Sequence, residues 1–205
     1  MINGNDEEEF LVAISVEDIN NAISHNLQNY IQICDSTYQM KIESVAKDII
    51  ETHRQKPIVL LCGPSGSSKT TSAIILRNIL ESMSFTTHIL SLDNYFSTFT
   101  KEQAKLARRG KIDLEAPSRL DIPFLNEELR KILDGTTVKL YRFNFKTDQR
   151  VPTGKTLTRK LDDLVIIEGI HSLNPEVISI PKEKTFKIYV DLEQTITCGN
   201  SVLRP

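Results

Sequence analysis

The sequence predicts an α/β fold: a doubly wound parallel sheet flanked by helices, with an N-terminal helical extension and a β-hairpin insertion. Short, continuous apolar runs are the first reason, because strands buried on both faces of a parallel sheet have this pattern. These runs occupy residues 58–62, 88–92, 164–168 and 186–190. Helical patterns of apolar residues separate the runs, and strands that alternate with helices favour parallel pairing.

Length and composition place the chain among globular proteins. Its 205 residues suit one domain with a small appendage, and 40% apolar with 25% charged residues exclude collagenous and wholly disordered classes. The net charge of −2 offers no general attraction for nucleic acid or for an anionic membrane, so we expect neither partner. The odd number of unclustered cysteines, together with a polar, acidic start unlike a signal peptide, predicts a cytoplasmic protein.

Two helices are predicted before the first apolar strand. A capping box at Ser15 opens the first helix, and a second box at Ser36 opens a helix that ends near Thr52. We therefore expect residues 1–56 to form a helical extension and residues 57–205 to form the main domain. The extension either covers the sheet or forms an interface. In the second case the protein could be a homo-oligomer.

Three further helices are predicted within the main domain. One begins near Lys69, one lies near residues 100–109, and one spans about 122–133. Asp121 as N-cap and Pro123 in the first turn mark the start of the last helix.

A hairpin and a short helix complete the predicted elements. Residues 137–145 and 150–157 favour β-structure, and the four polar residues between them predict a hairpin. Asn174 and Pro175 predict a short helix between the last two buried strands.

A phosphate-binding loop is predicted between the first buried strand and the following helix. Consecutive backbone N–H groups of a tight loop, with the positive end of the helix behind them, can surround an anion. Lys69 would neutralise the outer phosphates, and the Thr70 hydroxyl would bind Mg²⁺. A Ser/Gly-rich connector is the alternative interpretation. The candidate nucleotide-binding residues are Gly63, Pro64, Ser65, Gly66, Ser67, Ser68, Lys69, Thr70 and Thr71.

One position of this loop departs from the G-x-x-x-x-G-K-[ST] pattern, because Ser68 stands where the second glycine belongs. If the position requires a positive φ or close approach to phosphate, a Cβ costs roughly 1–3 kcal/mol. Such a cost would weaken nucleotide binding without abolishing it.

Two carboxylates follow buried strands directly. Asp93 comes after one strand and Glu168 after another, and ligands bind at the carboxyl ends of parallel strands. Asp93 could take the proton of an acceptor hydroxyl, worth roughly 10²–10⁴ in rate, while Glu168 could hold Mg²⁺ or its waters. For each acid taken alone, a helix cap or a solvated strand end is the better interpretation. Their convergence with the phosphate loop favours a catalytic site.

Six stretches in a fixed order resemble the uridine kinase and phosphoribulokinase family of P-loop kinases. They are LLCGPSGSSKTT, SLDNYF, DLEAPSRLD, FNFKTDQR, GKTL and LVIIEGIHSLNP, and the similarity covers about residues 57–191. The resemblance implies ATP- and Mg²⁺-dependent phosphorylation of the 5′-hydroxyl of a uridine- or cytidine-like nucleoside. Asp93 matches the catalytic base of the family, Lys69 and Thr70 match its phosphate and metal residues, and Glu168 matches its Walker B acid.

The resemblance also implies residues that bind the acceptor. Glu115 matches an acidic position that contacts the nucleoside sugar, and Tyr95, in the SLDNYF stretch, is a further candidate for acceptor binding. Phe143 occupies a position where these kinases often carry Tyr beside the base. Phenylalanine has no phenol hydroxyl, so the resemblance does not supply a contact specific for uracil at this position. Arg150 matches a basic residue of the hairpin.

A second departure concerns the C-terminal part of the domain. Members of the family continue past the last buried strand into an Arg-rich lid helix, whereas this chain stops at Pro205, so we expect a truncated product or fragment of a longer kinase.

Two functions other than a nucleoside kinase stay open. Basic residues near 101–111 favour a kinase of a sugar phosphate or another small alcohol. Ser68 and the absent lid favour a nucleotide-binding regulatory or scaffolding protein without catalysis.

Overall fold

The computed structural model describes residues 14–191, 195–199 and 201–203. Residues 42–190 form one compact unit, and residues 1–41 with 191–205 form a second one. This division lies at a different place from the predicted boundary at residue 56, which stays a prediction. The elements are β1 (Ile14–Ser15), α1 (Val16–Thr52), β2 (Ile58–Cys62), α2 (Lys69–Ser82), β3 (Thr87–Ser91), α3 (Lys101–Arg108), α4 (Ile122–Leu133), β4 (Val138–Asn144), β5 (Gln149–Leu157), β6 (Leu164–Glu168), β7 (Thr185–Tyr189), β8 (Ile196–Cys198) and β9 (Ser201–Leu203).

The larger unit contains a four-stranded parallel sheet in the order β3-β6-β2-β7. The predicted α/β fold is thereby confirmed. In the register of the central strands, Glu168 lies beside Leu61 of β2 and beside Ser91 of β3. Three strands therefore end at the same level, which brings the segments that follow them to one edge of the sheet.

Alternate residues of the strands face two separate cores, as expected for a sheet buried on both sides. Ile58 and Leu60 of β2 pack with α4 and the hairpin on one face. Val59 and Leu61 pack with α2 and the last turns of α1 on the other. Layers on both faces hold the sheet edge in a fixed position.

The helix and hairpin predicted in the second half of this unit are confirmed. Asp121 caps α4 by accepting a hydrogen bond from Phe124 N at 3.3 Å, and a proline lies in the first turn. β4 and β5 pair antiparallel as a separate two-stranded sheet. The prediction of a short helix at Asn174 is wrong. Val177 N and Ile178 N donate to the Asn174 carbonyl oxygen in a single turn, and this turn does not continue into a helix.

The predicted break between the two N-terminal helices is in the wrong place. Ser36 lies inside α1, and the non-helical residue is Asn26, with φ −165° and ψ 92°. Its Oδ1 accepts a hydrogen bond from Asn29 N at 3.0 Å, so Asn26 caps the helical segment that follows. Several residues in this stretch could cap a helix, and the sequence alone does not rank them.

The smaller unit also holds a three-stranded sheet in the order β1-β8-β9 among its described residues. β1 pairs parallel with β8, and β8 pairs antiparallel with β9. Across both units, no described helix combines the length and the apolar character that a membrane crossing requires.

Candidate active site

The predicted phosphate loop connects β2 with α2, and its first glycine is required by packing. A Cβ on Gly63 would lie 2.5 Å from Ser67 Oγ and 2.5 Å from the carbonyl oxygen of Val190. No side chain fits there without a backbone shift. Gly66 turns the loop with φ +83°, a left-handed conformation that glycine adopts at little cost.

Ser68 adopts the left-handed conformation anticipated for its position, with φ 62° and ψ 23°. Its side chain makes no capping hydrogen bond to α2. A non-glycine residue in this conformation costs about 1–2 kcal/mol, so the serine carries strain that a glycine would not.

Lys69 and the start of α2 supply positive character around the loop. The helix has 14 residues, and its first N–H groups lack partners within the helix. The Lys69 ammonium lies 3.5 Å from the carbonyl oxygen of Pro64, which places it over the loop. A polyphosphate tail would therefore meet both backbone donors and a full positive charge.

Thr70 and Glu168 meet across the site. Thr70 Oγ1 donates to Glu168 Oε2 at 3.1 Å, although 98 positions separate the two residues. Glu168 ends β6 and is 3% exposed. A hydroxyl and a carboxylate are hard oxygen donors, so this pair fits Mg²⁺ in combination with phosphate oxygens.

Asp93 lies in the 3₁₀ turn Leu92–Tyr95 that follows β3, where its N–H donates to Ser91 Oγ at 3.3 Å. The surrounding protein partly desolvates the carboxyl, and this desolvation, with the negative charge of Glu168, raises the pKa of Asp93. Lys69 opposes the shift. The Asp93 carboxyl therefore lies close enough to Glu168 and Lys69 for their charges to act on it.

Gly169 allows the segments that follow β6 and β3 to pack closely. A Cβ at this position would lie 2.8 Å from Leu92 Cβ, so the chain after β6 packs directly against the turn that carries Asp93. Any larger residue would push these two segments apart.

Glu115 joins the phosphate loop to the loop after β6. Ser65 Oγ donates to Glu115 Oε1 at 2.7 Å, and His171 Nε2 donates to the Glu115 carbonyl oxygen at 2.6 Å. The three residues are far apart in sequence, and no local pattern predicts their contact. The role of Glu115 toward an acceptor sugar stays a prediction.

Phe143 is buried, with 5% of its surface exposed. Its N–H donates at 3.2 Å to Oδ1 of Asn94, the residue that follows Asp93. Its ring contacts Phe96 and Phe145 at centroid distances of 5.7 and 5.0 Å. The structure thus gathers three phenylalanines next to the turn that carries Asp93. Only Phe143 was predicted.

Tyr95 and Arg150 lie in the packing between the hairpin and α4. Tyr95 is 6% exposed, and burial followed by the charge of Glu128 raises its pKa to about 12, against the opposing charge of Arg150. Arg150 donates to Asp121 Oδ2 at 2.7 Å and stacks 4.1 Å from the ring centroid of Phe124. Their predicted role in acceptor binding stays a prediction.

Arg119 and Asp148 are residues that sequence patterns do not reveal. Arg119 is 8% exposed although its charge predicts a solvated position. Asp148 lies in the hairpin turn with φ 52°. Their partners come from distant segments, so neither burial nor pairing has a local signal.

Comparisons with known proteins identify one family. The family model described as "Phosphoribulokinase / Uridine kinase family" matches residues 58–204. A uridine kinase of Lactobacillus johnsonii is 30% identical over 145 residues, which are 69% of this chain and 64% of that protein. A uridine kinase of Schizosaccharomyces pombe is 30% identical over 125 residues, which are 61% of this chain and 27% of that protein. The chain thus spans less than two thirds of the length of these relatives.

One solved structure supports the fold. It is described as that of "a Possible Uridine Kinase from Bacillus stearothermophilus", and it superposes with a TM-score of 0.58 at 19% identity over 75% of this chain and 80% of that chain.

Proposed function

Because the chain belongs to the phosphoribulokinase and uridine kinase family, as its motifs indicate, we propose that it transfers the γ-phosphoryl group of ATP to the 5′-hydroxyl of a uridine- or cytidine-like nucleoside. The observation that carries the proposal is the meeting of Lys69, Glu168 and Asp93 at one edge of the sheet. This transfer needs a phosphate-donor side and a proton acceptor, and we assign these roles to the phosphate loop and to Asp93.

The donor side consists of the loop and α2. The backbone N–H groups of the loop, except at Pro64, which has none, would hold the phosphates, and the Lys69 ammonium would neutralise the β- and γ-phosphoryl oxygens. Thr70 Oγ1 and the Glu168 carboxylate are the groups that would hold Mg²⁺, directly or through water. The ion, when bound, neutralises phosphate oxygens as charge moves toward the leaving group.

Asp93 supplies the chemistry on the acceptor side. Its carboxylate would accept the proton of the 5′-hydroxyl while that oxygen bonds to the γ-phosphorus and the bond to the β-phosphate oxygen breaks, which leaves ADP. The raised pKa makes Asp93 a stronger base than an ordinary aspartate. Desolvation and the charge of Glu168 thus favour proton transfer to this carboxylate.

The test is ADP formation from ATP, Mg²⁺ and uridine or cytidine, with the nucleoside 5′-phosphate identified by ³¹P NMR. Asp93→Asn keeps the size of the side chain and removes the base, so the rate should fall by roughly 10²–10⁴. Asp134→Asn, at an exposed helix end, is the matched control and should retain the parent rate. Turnover of neither nucleoside, or full activity of Asp93→Asn, would contradict the proposal.

A kinase of an anionic alcohol is the second candidate. The observation that favours it is the exposed basic surface of α3 and the turn after it, which consists of Lys101, Lys105, Arg108, Arg109 and Lys111. Such a surface could attract a sugar phosphate. Competition between uridine and a sugar phosphate for the same ATP-dependent turnover separates the two acceptors.

A nucleotide-binding protein without catalysis is the third candidate, and the strained Ser68 favours it. In that case ATP raises the melting temperature, no ADP forms with any small alcohol, and Asp93→Asn leaves the function in cells unchanged.

A further inference from the structure

Arg119 is a buried cation held by partners from two segments, residues 96–99 and the hairpin turn at Asp148. Its Nη1 donates to the Ser97 carbonyl oxygen at 3.0 Å, and its Nη2 lies 3.6 Å from Asp148 Oδ1. The guanidinium lies 3.5 Å from the ring centroid of Phe99 and 5.6 Å from that of Phe96. A desolvated guanidinium is tolerated only with such partners, so the position is specific for arginine.

Asp148 closes the same cluster from the hairpin turn. Its Oδ2 accepts a hydrogen bond from Phe99 N at 2.6 Å, while its Oδ1 faces Arg119. Its backbone is left-handed, with φ 52°, which aspartate tolerates better than most residues. The Arg119 cluster, defined as Arg119, Asp148, Phe99 and the carbonyl of Ser97, therefore ties the hairpin turn to the segment after the Asp93 turn.

These tied segments carry three phenylalanine rings next to the turn that contains Asp93. Phe145 precedes the hairpin turn and is 65% exposed, and its ring lies 5.5 Å from Phe96 and 5.0 Å from Phe143. Asn94 binds the backbone of Phe143, so the hairpin and the Asp93 turn are also joined directly. The Arg119 cluster is thus a second attachment that fixes where these rings lie relative to Asp93.

We propose that Arg119 is a positioning residue, which holds the phenylalanine rings of the hairpin at the distance from Asp93 that a planar, uncharged base attached to the acceptor alcohol requires. The inference rests on the proposed nucleoside kinase function. It assigns to Arg119 a larger effect on the acceptor than on the nucleotide, because the described contacts of its side chain lie with the hairpin and the segment after the Asp93 turn. Lysine cannot replace it, since an ammonium lacks the planar fork that stacks and donates at once.

Calorimetric titration of the full chain with uridine and, separately, with ATP and Mg²⁺ tests the inference. Arg119→Lys should weaken uridine binding about tenfold and change the ATP affinity less than twofold. A general disturbance of the fold would weaken the binding of uridine and the binding of ATP by similar factors. Arg54→Lys is the matched control, because Arg54 also pairs with an aspartate, Asp162, but its side chain is 72% exposed.

Asp148→Asn provides the second variant, and it decides the question if Arg119→Lys does not fold. It keeps an oxygen for Phe99 N and removes the charge that faces Arg119, so uridine binding should weaken about threefold with ATP affinity retained. The inference is overturned if folded variants bind uridine as the parent does, or if uridine and ATP affinities fall together. Failure of the parent itself to bind any nucleoside would instead remove the proposed function, and the inference with it.

Discussion

Replacing Ser68 by glycine measures the strain in the phosphate loop. Ser68 has φ 62° and ψ 23°, and its side chain makes no capping hydrogen bond, so nothing favourable is lost with it. Relief of the left-handed conformation is worth about 1–2 kcal/mol, and the greater freedom of glycine in the unfolded chain returns about 0.5–1 kcal/mol. The net gain is about 0–1.5 kcal/mol. Its midpoint of about 0.8 kcal/mol corresponds to roughly 2–3 °C in melting temperature for a chain of this size.

Ser84→Gly is the matched control at the other end of the same helix. Ser84 has φ 72°, is exposed, and follows the last turn of α2, where its N–H donates to the Glu81 carbonyl oxygen at 3.0 Å. Its replacement should raise the melting temperature by a similar amount. Because Ser84 lies outside the loop, only Ser68→Gly should also tighten ATP binding.

Differential scanning calorimetry gives the two melting temperatures, and isothermal titration with ATP and Mg²⁺ gives the affinities. A gain for Ser84→Gly without one for Ser68→Gly would refute the strain argument for the loop. Equal changes in ATP affinity for both variants would refute the assignment of Ser68 to the phosphate site.

Three further predictions concern the edge of the sheet. Asp93→Asn should raise the melting temperature at neutral pH, because the raised pKa means that the folded protein disfavours the charged form; the gain should vanish in acid, where the parent is protonated, and an equal gain at all pH values would contradict the shift. Thr70→Val should weaken ATP binding about tenfold, or about 1.4 kcal/mol, with Mg²⁺ but not with EDTA; equal affinities with Mg²⁺ would exclude Thr70 from the metal site. Gly169→Ala should lower the melting temperature by about 2–12 °C, since its Cβ would lie 2.8 Å from Leu92 Cβ, and an unchanged melting curve would show that the contact yields easily.

The sheet and the phosphate loop could be predicted because their signals are local. A run of apolar residues such as 164–168 identifies a buried strand by itself, and the carboxyl end of such a strand predicts where Asp93 and Glu168 lie. The glycine position occupied by Ser68 likewise has a fixed place in a short motif.

The remaining features depend on partners that are distant in sequence. Asn26 and Ser36 are both acceptable caps, and packing of the helix decides between them. Glu115 reaches the loop through Ser65, 50 positions away, and Arg119 is buried because a hairpin turn supplies its counter-charge. Composition and spacing carry no record of such pairings.

β6 lies inside the four-stranded sheet, whereas the hairpin of β4 and β5 lies outside it. Glu168 ends a strand that is hydrogen-bonded to neighbours on both sides, so its amides should exchange with solvent only when the whole sheet opens. The hairpin, in contrast, forms its own two-stranded sheet. Under the proposed function, the acceptor can therefore change with the hairpin while the phosphate-binding edge of the sheet stays the same.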